Sequence, residues 1–156
     1  MLNWGLRPAT AADVETIADL RAVVMRPDLE RLGRFNEDRV RQWFREAFDP
    51  AHTQVITVDG TFAGCFTMRP DGDERWLEHF LLVPEVQGNG VGTAVLRTVL
   101  ERCDGDKVRV RLRVLQGSPA RRLYERHGFT FASEDPVDVF LVREPVSAEH
   151  GVDFGG

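Results

Sequence analysis

Hydrophobic residues along this chain change their spacing several times, and each change marks an element. Residues 2–7 read as a short first strand, after which Pro8-Ala9-Thr10 leads into Val14, Ile17, Ala18, Leu20 and Val24 at helical spacing. Pro27 is expected to break that helix, because proline lacks the amide that the ladder needs. A second helical pattern covers residues 31–45, with Val40, Trp43, Phe44 and Phe48 as its apolar side, and Asp49-Pro50 closes it. Three strand-like runs follow at 54–58, 62–68 and 76–83, the first two separated by Asp59-Gly60, a hairpin signal. From 91 to 103 the spacing is helical again, through Val91, Ala94, Val95, Val99, Leu100 and Cys103. Residues 108–114 then alternate, Val108, Val110, Leu112 and Val114 pointing one way and Arg109, Arg111 and Arg113 the other. Ser118 as N-cap with Pro119 at the first helical position predicts a helix to His127, stopped at Gly128. Residues 129–132 and 137–143 read as two closing strands.

That order predicts an α/β (α+β) fold: a single mixed, mostly antiparallel sheet of about seven strands with helices on both faces. A chain of 156 residues is the size of one domain, expected at 1–144, and residues 145–156 lack any period and read as a frayed tail. Twenty Lys and Arg against twenty-five Asp and Glu leave a net charge of −5, which argues against nucleic acid or an anionic membrane as a partner held by bulk charge. Any anionic partner must therefore be met locally. Cys65 and Cys103 lack the spacing of a zinc site or a disulfide framework, and the longest apolar runs are far too short to span a bilayer. The expectation is a soluble cytoplasmic protein.

The most informative stretch is Leu81-Leu82-Val83-Pro84-Glu85-Val86-Gln87-Gly88-Asn89-Gly90-Val91-Gly92, which takes an apolar strand into a glycine-rich turn and then into a helix. Glycines let the backbone approach a phosphate, and the free amides of the first helical turn point outward with the positive end of the dipole. A nucleotide P-loop would need Lys followed by Ser or Thr after the last glycine, where this chain has Thr93-Ala94. A dinucleotide fingerprint starting at Gly88 would need glycine where Thr93 stands.

What remains resembles the acetyl-CoA loop of the GNAT superfamily of N-acetyltransferases, Gln/Arg-x-x-Gly-x-Gly/Ala, matched by Gln87, Gly90 and Gly92. Further on, Ala120-Arg121-Arg122-Leu123-Tyr124-Glu125-Arg126-His127-Gly128-Phe129 is similar to that family's Ala-x-x-Leu-Tyr-x-x-x-Gly-Phe. The resemblance implies the family fold over residues 2–143 and acetyl-CoA as co-substrate. It implies that the amides of Gly88, Asn89, Gly90, Val91, Gly92 and Thr93 hold the CoA pyrophosphate. The strand at Leu81, Leu82 and Val83 would lie along the pantetheine. It implies transfer of the acetyl group to a primary amine, and it leaves room for a homodimer, since dimers are common in the family.

A basic amine must lose a proton before it attacks a thioester, and the leaving thiolate can use one. Tyr124, the only tyrosine in the chain, is the expected general acid. Glu78, four residues before Leu82, is the leading base, with a water-relayed path as a further route. His79 is adjacent, but neighbouring strand residues point to opposite faces unless a bulge intervenes. His52, His127 and His150 have no metal-ligand spacing with His79, and no metal is expected. Two positions depart from the family pattern: Gly117 stands where many members have a cofactor-touching Asn, and the polar side of 108–114 is arginine only, with no catalytic Glu.

The arginines at 109, 111 and 113 and the dense set before the hairpins read as solvated ion-pair partners, with recognition of an acidic acceptor or the CoA 3′-phosphate as the functional alternative. Arg121 and Arg122 are better placed for the cofactor phosphates. Phe35 is expected in a loop at the wall of the acceptor pocket. Cys65 and Cys103 read as small buried residues rather than nucleophiles. A non-catalytic CoA- or acyl-CoA-sensing module on the same fold is the competing reading.

Overall fold

The computed structural model describes residues 2–147. Most of the tail expected at 145–156 lies outside the described residues. The elements are β1 (Trp4–Pro8), α1 (Val14–Arg31), α2 (Glu37–Ala47), β2 (Thr53–Val58), β3 (Thr61–Asp71), β4 (Glu74–Leu82), α3 (Val91–Gly105), β5 (Arg109–Leu115), α4 (Ala120–Arg126), β6 (Thr130–Glu134) and β7 (Asp138–Arg143). This is the order that the hydrophobic pattern predicts. The strands form one sheet in the order β1-β2-β3-β4-β5-β7-β6, and every neighbouring pair is antiparallel except β4 and β5.

Each sheet face is covered by its own helices. On one side α3 buries Val95, Leu96 and Val99 against Ile56, Phe66, Leu77 and the even-numbered positions of β5, with Tyr124 and Phe129 joining from α4 and the residues after it. On the other side α1 and α2 set Ile17, Ala18, Leu20 and Phe44 against Cys65 and Leu81. The alternation of β5 is therefore used as written: Val110, Leu112 and Val114 are buried, and the three arginines project to the α1/α2 side. A buried arginine ties three elements together. The Arg143 guanidinium donates to both Asp104 oxygens at 2.8 and 3.0 Å and to the His127 carbonyl at 2.8 Å, tying β7 to α3 and to the end of α4.

The boundaries of the first two helices differ from the sequence reading. Pro27 lies inside α1 rather than ending it. It sits on an exposed side of the helix, and the turn after it is held by Arg31, which donates to Asp28 at 2.7 Å and to the Gln116 carbonyl. The stop comes at Gly33, whose φ of +68° takes the chain out of the helix while the Arg34 amide reaches back to Leu29 at 2.8 Å, a Schellman closure. Consequently α2 starts later than residue 31, where the Asn36 side chain accepts from the Arg39 amide at 3.0 Å.

Candidate functional site

Strands β4 and β5 are paired only from Glu74–Trp76 to 109–111 and then part. Parallel strands that separate leave one edge of β4, from Leu77 onward, without a partner, and a cavity of about 550 Å³ opens there. It is lined from α1 and α2 by Arg21, Arg39 and Trp43, from β4 by Glu78, His79 and Leu81, from β5 by Arg113, and from α4 by Tyr124.

The parting coincides with a bulge. In the β3–β4 register Thr67 faces Glu78 but Cys65 faces Leu81, so β4 carries one extra residue, and His79 adopts φ +51°. That extra residue turns His79 to the same side as Glu78. Its ring packs on Phe44, centroids 5.0 Å apart, and on Trp43 at 5.5 Å, and both Glu78 and His79 line the cavity. Across the bulge the Leu81 carbonyl presses on Gly64, where a Cβ would collide with the Leu81 oxygen. Only glycine fits this approach.

Beyond Leu82 the chain enters the turn. Its own hydrogen bonds run to the Gln87 amide on the Pro84 carbonyl and resume with the Ala94 amide on Gly90, so the backbone amides of Gly88, Asn89, Gly90, Val91, Gly92 and Thr93 are left without backbone acceptors. Gly88 and Gly90 both have φ +81°, the left-handed geometry that bends successive amides toward a common point. A Cβ at Gly92 would meet the Leu82 side chain at 3.1 Å, which sets the turn directly against the end of β4. The Gln87 side chain closes the turn by donating to the Leu82 carbonyl at 2.9 Å, and Asn89 donates to Val86 at 3.3 Å. This row of unaccepted amides on α3, a 15-residue helix, fits the pyrophosphate of a CoA.

Tyr124 is buried, its ring edge-on to Phe129 at 5.7 Å, and it faces the cavity from the α4 side. Burial pushes its phenol above the ordinary value, so it is a protonated donor at neutral pH. The Glu78 carboxylate lies on the cavity wall with its two oxygens held by Arg69 at 3.0 and 3.2 Å. Burial, reinforced by the nearby Arg21 charge, lowers His79 to about 4, so its imidazole is neutral at pH 7. Cys65 is fully buried and its thiol is pushed up to about 12 by burial, and Cys103 is buried as well. Neither can supply a thiolate. Among the described residues no cluster of His, Cys, Asp and Glu is placed to hold a metal ion, and no helix is long and apolar enough to cross a membrane.

Other expected residues are dispersed. Phe35 packs under Arg26, 5.0 Å from its guanidinium carbon, and is not on the cavity wall, whereas Trp43 and Trp76 are. Arg121 pairs with Glu125 at 3.2 Å. At Gly117 the φ is +77°, and the space a side chain would take is filled by the Arg31 guanidinium. Sequence reasoning missed Arg21 as a cavity residue, because a lone arginine on an amphipathic helix carries no signal of burial.

The family model described as "Acetyltransferase (GNAT) family" matches residues 17–129. No curated protein matches the chain by sequence. Among solved structures, the PaiA N-acetyltransferase from Thermoplasma acidophilum in complex with coenzyme A superposes with a TM-score of 0.74 at 18% identity, covering 91% of this chain and 99% of that one. The ribosomal-protein-S18-alanine N-acetyltransferase from Escherichia coli superposes with a TM-score of 0.69 at 17% identity, covering 94% and 96%. N-acetylglutamate synthase from Neisseria gonorrhoeae, complexed with coenzyme A and N-acetyl-glutamate, gives 0.63 at 20% identity over 92% of this chain and 35% of that one. At these identities the likeness is one of fold.

Proposed function

We propose that this chain, which belongs to the acetyltransferase (GNAT) family, transfers the acetyl group of acetyl-CoA directly to a primary amine of a small molecule, peptide or protein. The observation that carries the reading is continuity. The unaccepted amides of residues 88–93 abut the end of β4, and the unpaired edge of that strand opens into the cavity that holds Tyr124. The acetyltransferase unit is taken as residues 1–144, in a cytoplasmic enzyme without a nucleic-acid or membrane partner.

Acetyl-CoA supplies a thioester whose carbonyl carbon accepts the amine. The amides of Gly88 to Thr93 bind the diphosphate, the edge of β4 at Leu81, Leu82 and Val83 aligns the pantetheine arm, and a β4 amide donates to the carbonyl oxygen as it gains charge. An ammonium loses one proton before attack and a second as the nitrogen–carbon bond forms. Glu78 takes the first, directly or through a water, held in place by Arg69. Tyr124 gives its phenolic proton to the sulfur as the carbon–sulfur bond breaks, and the second amine proton restores the phenol. With both cysteines buried, neither is available to carry the acetyl group, in keeping with direct transfer.

A thiol-release screen with acetyl-CoA against polyamines, amino acids, aminoglycosides and peptides tests this reading. Tyr124→Phe and Glu78→Gln should each lower kcat at least about tenfold, about 1.4 kcal/mol in barrier, with little change in the KM for acetyl-CoA. Unchanged kcat in Tyr124→Phe would remove the acid assignment. Tight CoA binding with no thiol release from any amine class would favour a CoA-sensing module instead.

A further inference from the structure

The arginines of α1, α2 and β5 that lie off the cavity wall are paired with acids. Arg41 is paired with Asp19 and Glu37, Arg45 with Glu15, Arg26 with Glu30, and Arg31 with Asp28. On β5 the row of three divides: Arg109 reaches Glu144 at 2.8 Å and Arg111 reaches Glu74 at 2.5 Å, but Arg113 makes no ion pair among the described residues. On α1, Arg21 makes none either; its one hydrogen bond goes to the Val40 carbonyl at 3.3 Å. Arg34 and Arg39 are likewise without an ion pair, and all four of these arginines line the same cavity.

The carboxylates on that wall do not balance them. Asp28 is held by Arg31 and Glu78 by Arg69, which leaves Asp138 alone, and it lies beyond ion-pair distance of Arg113. Arg21 and Arg113 converge. Their guanidinium carbons lie 4.5 and 6.0 Å from the centroid of the same Trp43 indole, one reaching from α1 and the other from β5. Burial and the charge of Arg113 together lower Arg21 to about 10, the mark of a cation held in a positive, partly dry place without a counter-ion. Arg21 is partly buried and Arg113 exposed, so two like charges meet over one indole with no acid paired to either, and an anion placed between them would relieve their repulsion.

We propose that the amine acceptor carries a carboxylate, and that Arg21 and Arg113 bind it against the Trp43 indole while its amine points to the bulge of β4. Guanidinium groups match a carboxylate with paired N–H donors, and the rigid indole limits where it can sit. Asp138 and the already paired acids favour a singly charged anion over a phosphate dianion. The inference rests on the acetyl-transfer reading and narrows its acceptor to amino acids, peptides with free C-termini, or other aminocarboxylates.

The test has two arms. In the first, acetyl-CoA turnover is measured with amino acids and dipeptides, each against its own C-terminal amide. The carboxylate form should exceed the amide at least about tenfold in kcat/KM, and Arg113→Gln should bring that ratio toward one by raising KM for the carboxylate form. Amides that react as well as the acids would overturn the proposal while leaving acetyl transfer intact. In the second arm, tryptophan fluorescence is titrated with N-acetylglycine and with its methyl ester. A response to the acid alone, lost in Trp43→Phe and weakened in Arg113→Gln, supports the anion site even if no amine turns over. In that case the acetyl-transfer reading is the part that fails. No carboxylate-dependent change in either arm overturns the site.

Discussion

At the scale of single residues, His79 shows how far local pattern can mislead. Alternation places it opposite Glu78, yet the extra residue in β4 and a φ of +51° bring both to one cavity. Nothing in Glu78-His79-Phe80 announces a bulge, since histidine tolerates the left-handed region but does not demand it. Its burial has a thermodynamic consequence. The unfolded chain binds a proton near pH 6.5 and the folded protein only near pH 4, so between these values the unfolded state holds more protons and stability falls as pH falls. Between pH 7 and pH 5 this amounts to about 2 kcal/mol from His79. Urea unfolding of the native chain and of His79→Asn, a residue that also accepts positive φ, should show the variant losing less stability over that interval by about this amount. Parallel losses would mean that His79 takes up its proton in the folded protein as readily as in the unfolded chain. Asp13, held down to about 2 chiefly by its hydrogen bonds from Arg7, contributes in a separate window below pH 4.

Among elements, the pairing of β3 with β4 decides the site. At Gly64 the bulged strand approaches its neighbour so closely that the Leu81 oxygen occupies the place of a Cβ. Gly64→Ala should therefore destabilise the protein by more than about 2 kcal/mol in urea unfolding and lower acetyl transfer, because β4 must shift. Gly105→Ala is the control: a Cβ there meets nothing, and at the end of α3 it should be neutral or slightly stabilising. Equal behaviour of the two variants would dismiss the close contact. Element type and order were legible because amphipathic spacing and turn chemistry are local. The boundaries at Pro27 and Gly33 were less so: α1 runs on past Pro27 into a turn whose Arg31 reaches Gln116, a partner distant in the chain.

For the molecule as a whole, the two helix-covered faces share one sheet. Cys65 belongs to the cluster under α1 and α2, and Cys103 to the cluster under α3. If the faces unfold together, a thiol reagent should find no reactive cysteine in the native protein and two after a single denaturant transition that coincides with loss of far-ultraviolet dichroism. One thiol appearing before the other would show that one face opens separately. The same burial predicts that prior treatment with the reagent under native conditions leaves turnover unchanged.

The sequence by itself determined the class of the fold, the glycine turn and the tyrosine helix, because each rests on neighbours a few residues apart: apolar period, capping chemistry and closely spaced glycines. It also offers a route by which an acidic chain could meet an anionic partner, through oriented amides rather than net charge. Tertiary structure alone decided which charges remain unpaired. Arg109, Arg111 and Arg113 are equivalent along β5, and only the approach of Glu74, Glu144 and the α1/α2 pair separates two satisfied arginines from one facing Arg21 over Trp43. Such a difference depends on groups distant in the chain, and no period records it.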